Sequence, residues 1–296
     1  MDKINLVELG PRDGLQNEKL PLPVETKVAL INRLVDAGFK TIEAGAFVSP
    51  KKVPQMANSG EVLAKINRPK GVSFPVLAPN IQGYEAAKES GADTIAVFAS
   101  ASETFSQRNI NCSIEESMSR FKAVIDAAKK DGIRSRGYIS NVLGCPYEGK
   151  VSTSTVIELT NKLLEMGCYE ISLCDTIGVG TPLKARKLIR DVKSEIPVEK
   201  IAGHFHDTYG QALANSFIWL EEGVRTFDSS VSGLGGCPFA EGASGNLATE
   251  DLVYGLEGSG LDTSVNLEQL IEISRWISGE LNKQPASHVT AALQSR

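Results

Sequence analysis

Three stretches of this chain gather side chains able to bind a cation and to move protons. The first is Glu8-Leu-Gly-Pro-Arg-Asp-Gly-Leu-Gln-Asn-Glu18, directly after a strand-like apolar segment. There Arg12 offers a cationic fork for an anionic oxygen and Asp13 a carboxylate for a metal. The plain alternative is a Pro-Arg-Asp-Gly turn with a solvated ion pair. The second stretch is Gly203-His-Phe-His-Asp207, and it contains two of the three histidines of the chain. Strand side chains alternate, so His204 and His206 share a face that Phe205 avoids, one pleat apart and able to reach one cation. The alternative is a pair of hydrogen-bonded core histidines, while His288 lies near the end of the chain and reads as solvated. The third runs from Ser229 to Ala240, with Gly242, Gly245 and Asn246 following. Glycines 233, 235 and 236 make a pliable loop that brings Cys237 over a site as a lid thiol, or else an ordinary connection with an incidental cysteine. At Asn246 the chain is expected to enter its last barrel helix, with Glu250 on the same helical face.

Single residues add to these stretches. Glu43 and Asp175 fall within otherwise apolar strand patterns, where a carboxylate is costly unless paired or coordinated. Either is a candidate for chemistry or for a structural salt bridge. Lys19 and Asn109 fall in loops at the same end and are candidates for binding substrate.

These residues need elements to place them. Five times an amphipathic helix ends in a glycine and is followed within a few residues by a short apolar strand: at Gly38, Gly91, Gly132, Gly167 and Gly223. A glycine past a helix accepts the left-handed conformation that closes the last turn and returns the chain to the sheet. Further strand-like stretches at 6–10, 72–77 and 201–206 bring the number to eight, with helical patterns between them. Eight such units in this length predict a closed (β/α)8 TIM barrel, an α/β fold, with an additional C-terminal helix over 267–281. An open doubly wound sheet would ordinarily carry G-x-G-x-x-G after its first strand, and Gly10-Pro-Arg-Asp-Gly14 is not that. One catalytic domain over 1–285 and a polar tail over 286–296 are expected. In such a barrel the chemistry sits where strands end, and the three stretches lie there.

The composition narrows the partners. With 31 basic against 36 acidic residues among 296, the net charge is −5, and no basic block suggests nucleic acid. No apolar run approaches the roughly 18 to 20 residues that span a bilayer. The start, Met1-Asp2-Lys3, has the pattern of neither a signal nor a transit peptide. Five cysteines, odd in number and without C-x-x-C spacing, read as reduced thiols and a cytoplasmic setting.

The Arg-Asp-Gly-x-Gln run and the His-x-His-Asp strand resemble the metal-dependent barrels that make and break carbon–carbon bonds beside a thioester, among them isopropylmalate and homocitrate synthases. Ser230-Val-Ser-Gly-Leu-Gly-Gly-Cys-Pro-Phe239 resembles the 3-hydroxy-3-methylglutaryl-CoA lyases of that superfamily specifically. The resemblance covers about 5–281. It implies that Asp13, His204, His206 and Asn246 hold a divalent cation, Mg2+ or Mn2+, and that Arg12 faces the thioester oxygen. It further implies that Cys237 is the lid thiol, that Glu43 and Asp175 lie beside the reacting centre, and that Gln16 and Glu250 support the ligands. The implied partner is a small acyl-CoA, with a homo-oligomer as a further possibility. The implied activity is cleavage of that lyase substrate to acetyl-CoA and acetoacetate. An acyl-CoA-condensing synthase or a pyruvate-type aldolase is the alternative on the same scaffold.

Overall fold

The computed structural model describes residues 3–236 and 245–293. Its strands are β1 (Asn5–Glu8), β2 (Thr41–Ile42), β3 (Gly45–Ala46), β4 (Pro75–Leu77), β5 (Thr94–Ser100), β6 (Arg134–Ser140), β7 (Ile171–Asp175), β8 (Ile201–Phe205) and β9 (Thr226–Ser229). All pair in parallel in the order β2-β1-β9-β8-β7-β6-β5-β4-β3. The two end strands are halves of one, separated only by Glu43 and Ala44. The Glu43 N–H still reaches the Glu8 carbonyl at 2.9 Å, and that of Ala44 reaches the Pro75 carbonyl at 2.9 Å. The sheet therefore closes on itself as an eight-stranded TIM barrel, with a kink in its second strand at Glu43.

Parallel strands covered by helices on one side and filled on the other are buried on both faces, which is why β7 is buried at every position and β5 at all but Phe98. The helices show the complementary one-sided pattern. In Ile114–Lys130, Ser117, Phe121, Val124 and Ala128 are buried, Ser113 caps the N-terminus through Glu116 N–H at 3.1 Å, and Lys129 and Lys130 stand at the negative C-terminal end. Gly167, with φ of +121°, closes the helix Thr153–Met166 in the expected way.

Three features depart from the sequence reading. A helix over Glu103–Ile110 follows β5, so Asn109 is helical rather than in a loop; with only Phe105 and Ser106 buried, it has no apolar period to detect. Asn246 lies outside the last barrel helix, which begins at Thr249. It is extended and bridged to His206, so it and Glu250 do not share a helical face. The segment expected as a polar tail folds back as a helix over His288–Ala292, because Asp251 accepts the Ser287 hydroxyl (2.7 Å) and the His288 and Val289 N–H groups (3.1 and 2.9 Å). The helix Leu267–Glu280 turns Leu270, Ile273 and Ile277 inward, packing on the helices Val24–Asp36 and Thr249–Gly258. Its apolar face is thus used within the chain. No helix among the described residues is long and apolar enough to cross a membrane.

Candidate active site

The C-terminal ends of the strands surround a cavity of about 470 Å3. Arg12 and Asp13 enter it from a wide turn, Gly10–Gly14, in which the Gly14 N–H bonds the Leu9 carbonyl at 3.0 Å, five residues back. Such π-type turns recur at functional sites because they re-aim side chains. Space is what permits this one: a Cβ on Gly14 would lie 2.6 Å from Ser230 Oγ and 2.9 Å from Leu234 Cβ.

The alternation along β8 is as expected. Phe205 points outward, its ring centroid 5.0 Å from that of Trp219, while His204 and His206 both line the cavity with centroids 5.2 Å apart. One ligand atom each from Asp13, His204 and His206 lie within 4.8 Å of one another, the spacing of a shared metal. Asp13 Oδ1 accepts from Arg12 Nη1 at 2.8 Å, and its Oδ2 accepts from Asn246 Nδ2 at 2.8 Å. Asn246 Nδ2 also donates to the Leu234 carbonyl at 3.1 Å, which leaves Oδ1 as the atom it offers a cation. Burial alone would raise the Asp13 pKa, but the Arg12 charge, the two imidazoles and the Asn246 amide outweigh it and hold it at about 2. An ionised carboxylate, two imidazoles and an amide oxygen, with no thiolate, form a donor set that fits a divalent cation of the Mg2+ or Mn2+ kind, and imidazole also accepts softer ions.

Arg12 is buried and held from two sides. Its Nε donates to Glu43 Oε2 at 2.6 Å and its Nη1 to Asp13, leaving Nη2 with no protein partner among the described residues. Glu43 is fully buried behind it, and burial raises its pKa despite the guanidinium. Gln16 lines the cavity, and its Oε1 is buried with no partner among the described residues, as a bound water or ligand would require.

The remaining candidates are placed as follows. Asn109 lines the cavity, beside Arg120 and Lys52 at its mouth. Lys19 does not: it is exposed and outside the lining, since the chain leaves the cavity after Asn17. Asp175 ends β7 just outside the lining, where its carboxylate accepts the Val179 and Gly180 N–H groups at 3.1 and 2.8 Å. Burial raises it to about 6 against those bonds and the nearby His204. Glu250 lies behind the site, accepting the Ser232 N–H. Cys237 lies outside the described residues.

The sequence reading passed over a buried polar network directly behind His204. Asp228 on β9 accepts from Arg136 Nη2 (2.8 Å) and Ser172 Oγ (2.6 Å), and lies 3.4 Å from His204 Nδ1. Arg136 also donates to Glu170 and to the Tyr138 hydroxyl, each at 2.8 Å. A carboxylate on the far nitrogen of a ligating histidine fixes its tautomer and ring orientation. The signal was present: Arg136 and Asp228 are charges inside strand patterns, the same anomaly that singled out Glu43.

A closed barrel whose cavity is lined by an acid–histidine–histidine cluster and a buried arginine is a TIM barrel with a candidate metal site at its strand ends. The model of the HMGL-like family matches residues 3–277, and the chain belongs to that family. It is 55% identical over 294 residues to the Pseudomonas aeruginosa protein named 3-hydroxy-3-isohexenylglutaryl-CoA/hydroxymethylglutaryl-CoA lyase, covering 99% of this chain and 98% of that one. It is likewise 55% identical to the mitochondrial hydroxymethylglutaryl-CoA lyase of Bos taurus, covering 98% and 89%. The crystal structure of the Pseudomonas aeruginosa hydroxymethylglutaryl-CoA lyase superposes with a TM-score of 0.97 over 99% of this chain and 98% of that one. An HMG-CoA lyase from Acinetobacter baumannii, solved with coenzyme A and 3-methylmalate, is 37% identical with a TM-score of 0.95, covering 99% and 95%.

Proposed function

We propose that this chain cleaves 3-hydroxy-3-methylglutaryl-CoA to acetyl-CoA and acetoacetate with the help of a divalent cation held by Asp13, His204, His206 and Asn246. The observation that carries the proposal is the Asp13–His204–His206 cluster with Arg12 beside it on one cavity wall. The reaction is a retro-aldol step: the tertiary alcohol loses its proton, the adjacent carbon–carbon bond breaks, and its electron pair passes to the carbon next to the thioester. When bound, Mg2+ or Mn2+ would orient the substrate's hydroxyl and carboxylate and make the hydroxyl more acidic. Arg12 meets the negative charge that develops on the thioester oxygen, using the N–H groups that Glu43 and Asp13 leave open. Glu43 and Asp13 fix that guanidinium, so it need not reorganise as charge appears. The alcohol proton leaves toward the Asp175–His204 side. A carboxyl titrating at about 6, as Asp175 does, is mostly ionised at pH 7 and close enough in pKa to hold a proton in passing. We assign to Cys237 the return of a proton to the enolate carbon, since an ordinary thiol is mostly protonated at neutral pH.

The partner is thus a small acyl-CoA, for which Lys52, Asn109 and Arg120 at the mouth offer donors. The buried, unpaired thiols Cys112, Cys145, Cys168 and Cys174 suit the reducing cytoplasm. A coupled assay for acetoacetate, with and without chelator, tests the reading. Release that stops on chelation and returns with Mn2+ is expected. No acetoacetate, but condensation when acetyl-CoA is given with a 2-oxo acid, would make the chain a synthase instead.

A further inference from the structure

Glu8 is a fully buried carboxylate that the proposed chemistry does not use, and it does not line the cavity. Its Oε1 accepts the Gly10 N–H at 2.7 Å and the Val231 N–H at 2.9 Å, while its Oε2 accepts the Thr249 hydroxyl at 2.7 Å. Those three partners belong to three different segments. Gly10 opens the turn that aims Arg12 and Asp13. Val231 opens the turn Val231–Gly233, which leads to Leu234, whose carbonyl holds the Asn246 amide. Thr249 begins the helix just after Asn246.

We infer that Glu8 is a positioning residue of the cation site, tying these three segments together so that Asp13 and Asn246 stand at a fixed separation on one side of the barrel. The inference rests on the metal reading proposed above. Two further observations support it. The turn that Glu8 holds is not a relaxed one: Ser232 has φ of +62°, a left-handed conformation unusual for serine, and Gly233 follows at +63°. Its consecutive N–H groups are each capped by a buried carboxylate, Val231 by Glu8 and Ser232 by both oxygens of Glu250 at 2.9 and 3.1 Å. The first turn is shaped around Glu8 as well, because a Cβ on Gly10 would stand 2.6 Å from its Oε1 and 2.9 Å from Val231 Cγ1. The two oxygens of Glu8 meet all three groups at once. No apolar residue meets any, and a glutamine keeps the Oε1 contacts while offering Thr249 an N–H in place of an oxygen.

The test is a Mn2+ titration of metal-free protein, followed by the paramagnetic resonance of the free ion, alongside kcat, KM and Tm. Glu8→Ala is expected to weaken Mn2+ binding about tenfold and to lower kcat, with KM for the acyl-CoA within about twofold; Glu8→Gln should fall between it and the unaltered protein. A merely structural role would lower Tm and leave Mn2+ affinity and kcat of the folded protein as they were, and a folded Glu8→Ala that binds Mn2+ normally overturns the inference. Should Glu8→Ala not fold, Glu8→Gln and Thr249→Val decide by the same criterion: weakened Mn2+ binding in both supports it, unchanged binding in both or either rejects it. Failure of the unaltered protein to bind Mn2+ would instead overturn the metal reading on which the inference stands.

Discussion

Arg12 bonds two acids with different surroundings: Glu43 is sealed in the barrel wall, while Asp13 faces the cavity at 19% side-chain exposure. A planar fork serves both and still leaves Nη2 for substrate, which a lysine ammonium on a single stem does not. Arg12→Lys should therefore lower kcat by about two to three orders of magnitude, the usual loss of an oxyanion donor, while metal-free protein still takes up Mn2+. Loss of Mn2+ uptake together with activity would mean that Arg12 serves chiefly to hold Asp13. Asp228 makes a different prediction, because it never meets solvent. Burial opposes its charge, yet Arg136 and His204 hold its pKa at about 2, so it stays ionised across the working range. Asp228→Asn leaves the Arg136 guanidinium buried with Glu170 as its remaining acid. Breaking a buried pair in this way typically costs about 3–5 kcal/mol. Melting should fall by more than about 5 °C, and Mn2+ affinity by about tenfold as the His204 ring loses its orienting acceptor. A variant that melts early yet binds Mn2+ as before would separate Asp228 from the site.

At the scale of elements, the turn Gly10–Gly14 is where fit matters most. Gly14→Ala places a methyl against Ser230 and Leu234, an overpacking of about 1–3 kcal/mol that the two turns must share by moving apart. Activity should drop at least tenfold with only a modest change in Tm; full activity would mean that Asp13 and Asn246 tolerate such a shift. This turn also marks how far the sequence could be read. Helix–glycine–strand repeats are local, so the barrel, its strands and the two inward histidines follow from periodicity alone. The geometry that unites Asp13 with Asn246 depends on Glu8, Ser230 and Leu234, from distant parts of the chain, and no local pattern encodes it. The same holds for the helix Glu103–Ile110, too short to show a period, and for the kink at Glu43, where a residue read as one point of a strand turns out to divide it. Asn246, expected at the entry of the last barrel helix with Glu250 on its face, is instead held extended by its pairing with His206, a tertiary contact that no local pattern encodes.

Several acids lie in the interior of the described molecule, and their pKa values move in opposite directions. Burial raises Glu8 to about 8 and Glu250 to about 7, over the several hydrogen bonds that favour their ionised forms, and Asp175 to about 6. Asp13 and Asp228, beside Arg12 and Arg136, fall to about 2. A raised carboxyl keeps its proton in the folded chain at pH values where the unfolded chain, at 4.5 for glutamate, has already released it. The folded state then binds more protons than the unfolded one, so raising the pH favours unfolding from about pH 4.5 until the folded pKa is passed. A lowered carboxyl acts the other way, contributing stability above 3.8 that disappears as the pH falls toward 2. Together they place the stability maximum of the metal-free protein near pH 4, with a decline from there to about pH 8.5 that Asp175 joins at its start and Glu8 and Glu250 dominate. Melting curves in chelator across that range should show Tm falling with pH. Glu250→Gln, which cannot ionise, should flatten the upper part of the decline near pH 7. A Tm that is level or rises from pH 5 to 8.5, or a Glu250→Gln profile parallel to the unaltered one, would mean that these carboxyls are ionised in the folded barrel and that their backbone donors outweigh the cost of burial.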